Sequence, residues 1–171
     1  INLEGLNTLE TISSLGVNMN NNMKTFRGLS NLRNFDHIRV DMNNNLVSIP
    51  DEMYDSNGFN ETFDAVSILI MNNPKLRSVP LLRRVSSVET TALFSGNVEM
   101  DSLDMYNLVS VGELTLTNNG IQSMTGFPNL VSVEMKLVIS LNTHLKTLHG
   151  ITSLKSVGRD IVVSGNPLLE R

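Results

Sequence analysis

The chain has 171 residues, of which 40% are hydrophobic and 18% are charged, and its formal net charge at pH 7 is -4. This length fits one domain with a continuous core, and the lack of excess positive charge argues against a nucleic-acid partner. No apolar run approaches the roughly 18 residues of a membrane span. The chain contains no cysteine, which excludes a disulfide framework and a thiolate metal site.

An asparagine recurs along the chain within the pattern Φ-x-Φ-x-x-Asn-x-x-Φ, where Φ is an apolar residue. The asparagines are 23, 30, 24, 22, 23 and 24 residues apart, and the pattern occurs seven times, at Asn20, Asn43, Asn73, Asn97, Asn119, Asn142 and Asn166. A unit of about 24 residues cannot bury its own apolar side, so the units must stack on one another as a solenoid.

Each repeat divides into two halves with different apolar spacing. The residues before each asparagine alternate with period two, as in Leu137-x-Ile139, which predicts one short strand per repeat and a parallel sheet with strands about 4.8 Å apart. The second half has a spacing of three, as in Leu29-x-x-Leu32-x-x-Phe35, and this favours corners or 3-10 turns over an α-helix. The sequence therefore predicts a mainly β fold, a parallel β-helix of about seven coils with little helix.

The recurring asparagines are predicted to be structural. Where the chain turns inward, backbone groups lose their sheet partners, and an asparagine side chain supplies one acceptor and two donors to the turns above and below. We expect an internal amide ladder, with ligand contact by these residues as the alternative. At Asn119 the next apolar residue follows after two positions instead of three, and the Asn119-Gly120 pair predicts a tighter turn there.

The 30-residue spacing between Asn43 and Asn73 indicates an insertion. Its acidic, turn-rich sequence predicts a surface loop at 50–64. Insertions in repeat proteins often lie on the binding face, so Tyr54 and Phe59 are candidate partner-binding residues, with a merely tolerated loop as the alternative. Asn60-Glu61-Thr62 is a glycosylation sequon, and Asn60 is a possible glycosylation site.

The strands also predict an outward-facing row. If the first and third positions of the pattern point inward, the residue between them points outward. We call these outward residues the front row: Arg39, Leu69, Leu93, Thr115, Val138 and Val162. An exposed apolar row can mark a partner-binding surface. The alternative is that such residues simply suit a parallel sheet, or that another domain covers them.

The sequence carries no recognisable catalytic or metal-binding pattern. The only histidines are His37, His144 and His149, and the last two lie on different walls of one predicted coil. There is no glycine-rich phosphate loop, zinc-protease helix motif or nucleophile elbow. We expect a non-enzymatic protein with no catalytic residues, no cofactor and no metal.

Segments such as IVVSGNPLL at 161–169 and ILIMNNPKLRSVPLLRRVSSV at 68–88 resemble the receptor L domain. This is the leucine-rich repeat β-solenoid module of the insulin and epidermal growth factor receptors and of fungal cell-wall surface proteins. The resemblance covers nearly the whole chain. It implies a right-handed parallel β-helix with several sheets, an extracellular or cell-surface location and a non-enzymatic binding role. The animal domains carry disulfides, whereas this chain has neither Cys nor Trp, which points to a microbial or protist relative or a more distant leucine-rich protein.

Three functional hypotheses remain open at this point. The first is a surface-exposed recognition or adhesion module that binds a protein ligand, a neighbouring domain or, as an alternative ligand, a glycan through its sheet face and the 50–64 loop. The second is an intracellular leucine-rich scaffold or a secreted effector. The third is a structural unit that stacks end to end through uncapped edges. Because Ile1 is not an initiator methionine and the pattern begins in mid-unit, we expect residues 1–171 to be a single solenoid domain of a longer protein.

Overall fold

The chain folds into a parallel β-solenoid of about six turns in the computed structural model, which describes residues 3–29, 31–49 and 61–170. The seven asparagines delimit these turns, since one turn runs from each asparagine to the next. The strands are β1 (Thr11–Asn18), β2 (Asn34–Asp41), β3 (Phe63–Met71), β4 (Val85–Ser95), β5 (Ser110–Thr117), β6 (Ser132–Val133), β7 (Leu137–Ser140), β8 (Ser156–Val157) and β9 (Ile161–Ser164). Within the described ranges the only helices are two 3-10 turns, Glu4–Leu6 and Pro80–Arg84. The prediction of a mainly β solenoid with little helix is confirmed.

All neighbouring strands pair in parallel, and each coil adds to the one before it. The pairing runs from β1 through β5 in chain order. Beyond β5 each coil carries two short strands instead of one long strand. β6 pairs with Ser110 and Val111 of β5, and β7 pairs with Leu114–Thr117 of β5. This gives two walls. We call the wall that ends in β7 and β9 the front sheet, and the wall that ends in β6 and β8 the side sheet.

Main-chain hydrogen bonds explain why apolar residues recur every third position outside the strands. The N–H of Leu76 donates to the carbonyl of Asn73 at 3.0 Å, and the N–H of Leu32 donates to the carbonyl of Leu29 at 3.0 Å. Each such bond joins residues three apart, closes a corner of the coil and points the later side chain into the core. The i, i+3 spacing is therefore the signature of corners, as the sequence predicted.

The corner at Asn119 differs from the other six. Among the described residues, the carbonyl of Asn119 receives no bond from the residue three positions later, and the N–H of Gly120 donates back to the carbonyl of Asn97 at 3.3 Å. The prediction of a tighter turn is therefore wrong, because the chain forms no hydrogen-bonded turn between Asn119 and Ile121. Glycine is required because a Cβ at Gly120 would lie 2.5 Å from the carbonyl oxygen of Val98.

The asparagine side chains form one hydrogen-bonded column through the core. The backbone N–H of each asparagine donates to the Oδ1 of the asparagine one coil further along, with N to O distances from 2.9 to 3.3 Å. Each Nδ2 donates back to a strand carbonyl of the preceding coil, as Asn142 does to Leu116 at 2.9 Å. The column therefore supplies partners to main-chain groups that leave the sheet at the turn.

The residue before each asparagine has a left-handed backbone conformation. Its φ lies between 53° and 70° in all seven coils, at Met19, Met42, Asn72, Gly96, Asn118, Leu141 and Gly165. This conformation redirects the chain at the end of the strand, so that the next side chain, the asparagine, points inward. Only glycine and asparagine adopt it readily. In the coils that place Met or Leu at this position, the residue type does not predict the left-handed conformation.

Strand β4 contains one extra residue relative to β5 and two relative to β3. Val88 pairs with Val111 and Thr91 pairs with Glu113, so two β4 residues face the single residue Gly112. The bulge brings main-chain oxygens of β4 very close to Gly112, since a Cβ at Gly112 would lie 2.2 Å from the carbonyl oxygen of Thr90. Such a bulge bends a strand and re-aims its side chains, and here it lies where the side sheet meets the front sheet.

We expect Asn142→Ala to reduce the free energy of unfolding by about 1–3 kcal/mol, because it leaves the buried N–H of Asn119 and the carbonyl of Leu116 without partners. The matched control is Asn20→Ala, since the side chain of Asn20 makes only an exposed bond to the carbonyl of Asn18. This control should change the free energy by less than about 0.5 kcal/mol. Chemical denaturation measures both values. Equal effects of the two substitutions would contradict the role of the column.

We expect Gly112→Ala to destabilise the fold by about 1–3 kcal/mol, because the new methyl group meets rigid main-chain oxygens of the bulge. Gly16 is the control, since its Cβ would find only the Nδ2 of Asn18, at 3.6 Å. Gly16→Ala should be neutral or slightly stabilising. Thermal unfolding of both variants checks this, and a fully stable Gly112→Ala protein would rule out the tight bulge.

Candidate functional site

The front row lies in strict register on the outer face of the front sheet. Arg39 pairs with Leu69, Leu69 with Leu93, Leu93 with Thr115, and so on along the sheet to Val162. Neighbouring strands of a sheet are about 4.8 Å apart, so the stretch from Leu69 to Val162 is about 19 Å long. The row is a continuous line of side chains on one face.

The front row points away from the core. Ile68 and Ile70 are fully buried, whereas Leu69 between them is partly exposed. Leu93, Thr115 and Val138 are also partly exposed, and Val162, on the outermost strand, is 41% exposed. Four of the five residues from Leu69 onward are aliphatic. The row therefore presents apolar surface that is available for contact.

Hydroxyl groups border the front row on its C-terminal side. Ser95, Thr117, Ser140 and Ser164 are paired in register across β4, β5, β7 and β9. The hydroxyl groups of Thr117 and Ser140 lie 2.9 Å apart and share a hydrogen bond. We call these four residues the hydroxyl row. Serine and threonine hydroxyls can both donate and accept hydrogen bonds, so the apolar line has a polar rim that can adapt to a partner.

The front row begins on β2 with a charged residue, Arg39, whose charge is neutralised by a neighbouring carboxylate. Arg39 pairs with Asp41, with 3.0 Å between Nη2 and Oδ2, and Asn72 donates from Nδ2 to Oδ1 of the same carboxylate at 3.0 Å. Asp41 is buried, so its carboxylate needs both partners. The arginine therefore helps to hold Asp41 and is not a free cation. Its exposed side chain still borders the first apolar residue, Leu69.

Polar groups also border the front row on the side that precedes it along each strand. His37 Nδ1 lies 2.9 Å from the hydroxyl of Ser67, and Lys136 Nζ lies 3.7 Å from a carboxylate oxygen of Asp160. No phenylalanine or tyrosine lies on the outward face of the described front sheet, and the chain has no tryptophan. The face thus combines an aliphatic centre with polar edges and offers no aromatic platform.

Two sequence-predicted candidates, Tyr54 and Phe59, and the sequon at Asn60 lie outside the described residues. The predicted loop at 50–64 is too long at its C-terminal end, because β3 already begins at Phe63. Phe63 packs edge to face on Phe35, with 5.0 Å between ring centroids. This aromatic contact secures the start of β3 against the preceding coil.

A groove of about 350 Å³ lies on the side sheet beside the β4 bulge, and sequence reasoning did not find it. Its lining includes three carboxylates, those of Asp64, Glu89 and Glu134. Asp64 accepts hydrogen bonds from the hydroxyls of Ser86 and Ser87, at 2.8 and 2.7 Å. The bonds from Ser87 and then Ser86 lower the pKa of Asp64 below its usual value of 3.8. The carboxyl group is therefore ionised at neutral pH.

A second polar cluster, also missed from the sequence, surrounds the buried carboxylate of Asp104. It accepts hydrogen bonds from the hydroxyls of Ser102 and Tyr106, at 3.1 and 3.0 Å, and Arg83 lies 3.5 Å away. The bond to Asp104 is the main reason why the pKa of Tyr106 is raised. These partners account for the burial of the charge, and we regard the cluster as structural.

The described residues show neither a metal site nor a membrane-spanning helix. No three His, Asp or Glu side chains of the described residues are grouped so that they could hold a metal ion. No helix in the described ranges has the length and apolar character needed to cross a membrane. The front row is the one predicted set of candidate binding residues that the structure brings together.

We expect Ser87→Ala to raise the pKa of Asp64, because the substitution removes the strongest hydrogen bond to the carboxylate. The carboxyl carbon shift of Asp64, followed by NMR during a pH titration, measures the change. Ser110→Ala is the control, since Ser110 pairs with Ser87 in register and makes no hydrogen bond to Asp64. An equal shift in both variants would contradict this assignment.

The same depressed pKa predicts how Asp64 affects stability. A group with a lower pKa in the folded state stabilises the fold above its unfolded pKa, and this contribution disappears as the pH falls through the folded pKa. The stabilisation by Asp64 should therefore be lost only below about pH 4. It should be small, because the carboxylate is exposed.

Comparison with known proteins leaves the chain without an assigned family. No protein-family model matches the sequence, and no solved structure matches the fold. The architecture is a parallel β-solenoid, and the resemblance to the receptor L domain rests on the sequence motifs alone.

Proposed function

We propose that this chain is a non-enzymatic recognition module that is exposed at a cell surface or outside the cell and binds a protein through its front sheet. The observation that carries the proposal is the front row itself. It is a partly exposed aliphatic line about 19 Å long, set in register on a rigid sheet and bordered by hydroxyl groups.

An apolar centre with a polar rim is the usual composition of a protein-binding surface. Leu69, Leu93 and Val138 supply the centre, and the hydroxyl row supplies hydrogen bonds at its border. The strands that carry these three residues, β3, β4 and β7, are each paired with a neighbour on both sides, so little conformational entropy is lost on binding. Both features favour recognition by a preformed surface.

The same face favours a protein over a glycan as the partner. A glycan-binding surface commonly stacks sugar rings on aromatic side chains, which provide a large flat apolar area with a polar edge. The described front sheet offers aliphatic side chains and small hydroxyls in their place. A glycan could still be held by the hydroxyl row alone, and the experiment below separates these two outcomes.

The proposal can be tested with three lysines in the front row. We expect Leu93→Lys, Val138→Lys and Val162→Lys together to abolish binding of the labelled chain to intact cells of the source organism. Each loss of apolar contact should cost about 1 kcal/mol, so even a single substitution should weaken binding about fivefold. Flow cytometry or surface titration gives the affinity.

The control variant carries Val98→Lys and Val109→Lys, which change side chains of 46% exposure outside the front row. It should bind like the unmodified chain. Circular dichroism and denaturation midpoints show whether each variant is folded, and Val162→Lys alone tests the face at its most exposed aliphatic position. Equal binding by the front-row and control variants would contradict the proposal.

Treatment of the cells identifies the chemistry of the partner. Protease digestion should abolish binding, whereas periodate oxidation of surface sugars should leave it intact. The opposite result would replace the protein ligand by a glycan. A glycan mass on Asn60 in native material would support the proposed location and contradict the intracellular scaffold.

A further inference from the structure

Four carboxylates lie along the border between the side sheet and the front sheet. We call them the acidic corner: Asp64, Glu89, Glu113 and Glu134. Three of them line the groove on the side sheet, and Glu113 lies on β5, two residues before the front-row residue Thr115. Each belongs to a coil that also carries a front-row residue, no more than five positions further along the chain. The acidic corner therefore follows one border of the front row, within about 17 Å of extended chain.

The charge of the acidic corner is not neutralised by the described part of the chain. The ion pairs among the described residues use five other carboxylates, those of Glu10, Asp41, Glu99, Asp104 and Asp160. Asp64 and Glu134 accept hydrogen bonds from uncharged serine hydroxyls, at 2.7 to 2.8 Å. These bonds hold the carboxylates in place but leave their negative charge to be balanced by solvent ions or by a partner.

Glu113 is the member of the acidic corner that lies nearest to the front row along the chain. Lys136 follows it in the next coil, since the N–H of Leu114 donates to the carbonyl of Lys136. The ammonium of Lys136 lies 3.7 Å from a carboxylate oxygen of Asp160, one coil further on, and forms no ion pair with Glu113. Glu113 is already half-buried. A protein that covered Thr115 would remove more water from this carboxylate, and a buried charge is costly unless it is paired.

The groove offers a second place for a positive charge. At the β4 bulge, Glu89 lies opposite Gly112, and Glu134 follows in the coil after Gly112. Main chains two coils apart are separated by about 10 Å, and Gly112 has no side chain to fill the space between them. The groove volume of about 350 Å³ lies within the usual range of binding pockets. A guanidinium with five N–H donors, or an ammonium with three, is suited to bond to carboxylates on both sides.

From these contacts we infer that the protein bound by the front row carries lysine or arginine side chains beside its apolar contact surface. One of these cations pairs with Glu113, and another enters the groove between Glu89 and Glu134. The inference rests on the proposed function, because it takes the front row as the docking surface.

The two parts of the surface then contribute differently to recognition. The apolar front row supplies contact area, whereas the acidic corner sets the orientation of the partner and speeds its association. A partner with acidic or uncharged groups at this border would leave Glu113 covered and unpaired. The acidic corner therefore acts against such partners as well as in favour of basic ones.

Neutral substitutions of nearly the same size test the acidic corner. Glu89→Gln with Glu113→Gln removes two charges from side chains that make no ion pair with a described residue. Binding of this labelled variant to intact cells of the source organism should be about tenfold weaker at low ionic strength. The control is Asp101→Asn with Glu170→Gln, which removes two charges from exposed side chains outside every strand. The control should bind like the unmodified chain, and denaturation midpoints show that each variant is folded.

Salt dependence provides a readout that a purely structural defect would not change. Raising the salt concentration from about 0.1 M to about 1 M shortens the screening length from about 10 Å to about 3 Å. The affinity of the unmodified chain should fall over this range, and that of the Glu89→Gln, Glu113→Gln variant should fall less. Equal affinity and equal salt dependence of the two proteins would overturn the inference.

The front-row lysine variant separates this inference from the proposed function. If the three lysines abolish binding while Glu89→Gln with Glu113→Gln leaves it unchanged, the proposed function stands and the inference alone is wrong. If the three lysines leave binding unchanged, the proposed function is wrong, and the inference falls with it.

Chemical treatment of the cells identifies which cation is used. Acetylation removes the charge of surface lysines, and butanedione modifies surface arginines. One of these treatments should weaken binding of the unmodified chain and change binding of the Glu89→Gln, Glu113→Gln variant much less, because that variant has already lost the contact. No effect of either treatment would overturn the inference. An equal effect on both proteins would overturn it as well, since the modified cation would then lie away from the acidic corner.

Discussion

The column of asparagine amides is the interaction on which the structure depends. Every coil must turn inward after its front strand, and the turn takes main-chain N–H and carbonyl groups away from the sheet into an apolar interior. An unpaired buried group of this kind costs about 1–3 kcal/mol. One side chain per coil supplies both missing partners, because an amide has an acceptor oxygen beside a donor nitrogen. The left-handed residue before each asparagine brings that amide to the centre of the coil.

The column also gives the solenoid a direction. Each Oδ1 and each Nδ2 bonds to main-chain groups of the coil before it. Within the described coils, every asparagine side chain of the column from Asn43 to Asn166 therefore reaches toward the coil that precedes it.

The outer surface follows from the same period of two that fills the core. Because Ile68 and Ile70 point inward, Leu69 must point outward, and parallel pairing repeats this at each coil. The front row is therefore tied to the repeat and not to one loop. The side groove arises differently, since it needs the extra residue of β4 and the missing side chain of Gly112. The repeat supplies a flat face, and its local exceptions supply concave features.

Much of the architecture was readable from the residues alone. The asparagine spacing predicted the stacked coils, the alternation around Val138 predicted which side chains face out, and the spacing of three predicted corners. These features are periodic, so each coil repeats the signal. Features that occur only once in the chain carried no such repeated signal. Asp104 resembles any other scattered carboxylate until the fold brings Tyr106 and Arg83 to it.

The sequence by itself determined the repeat, the strand positions and the residues that face the core, because burial of apolar side chains imposes a period on the chain. Only the tertiary structure decided the left-handed backbone at Met42 and the bulge opposite Gly112. Each of these depends on the distance between groups in different coils. Such a distance is set by the stacking of the coils, and no repeating pattern in the sequence reports it.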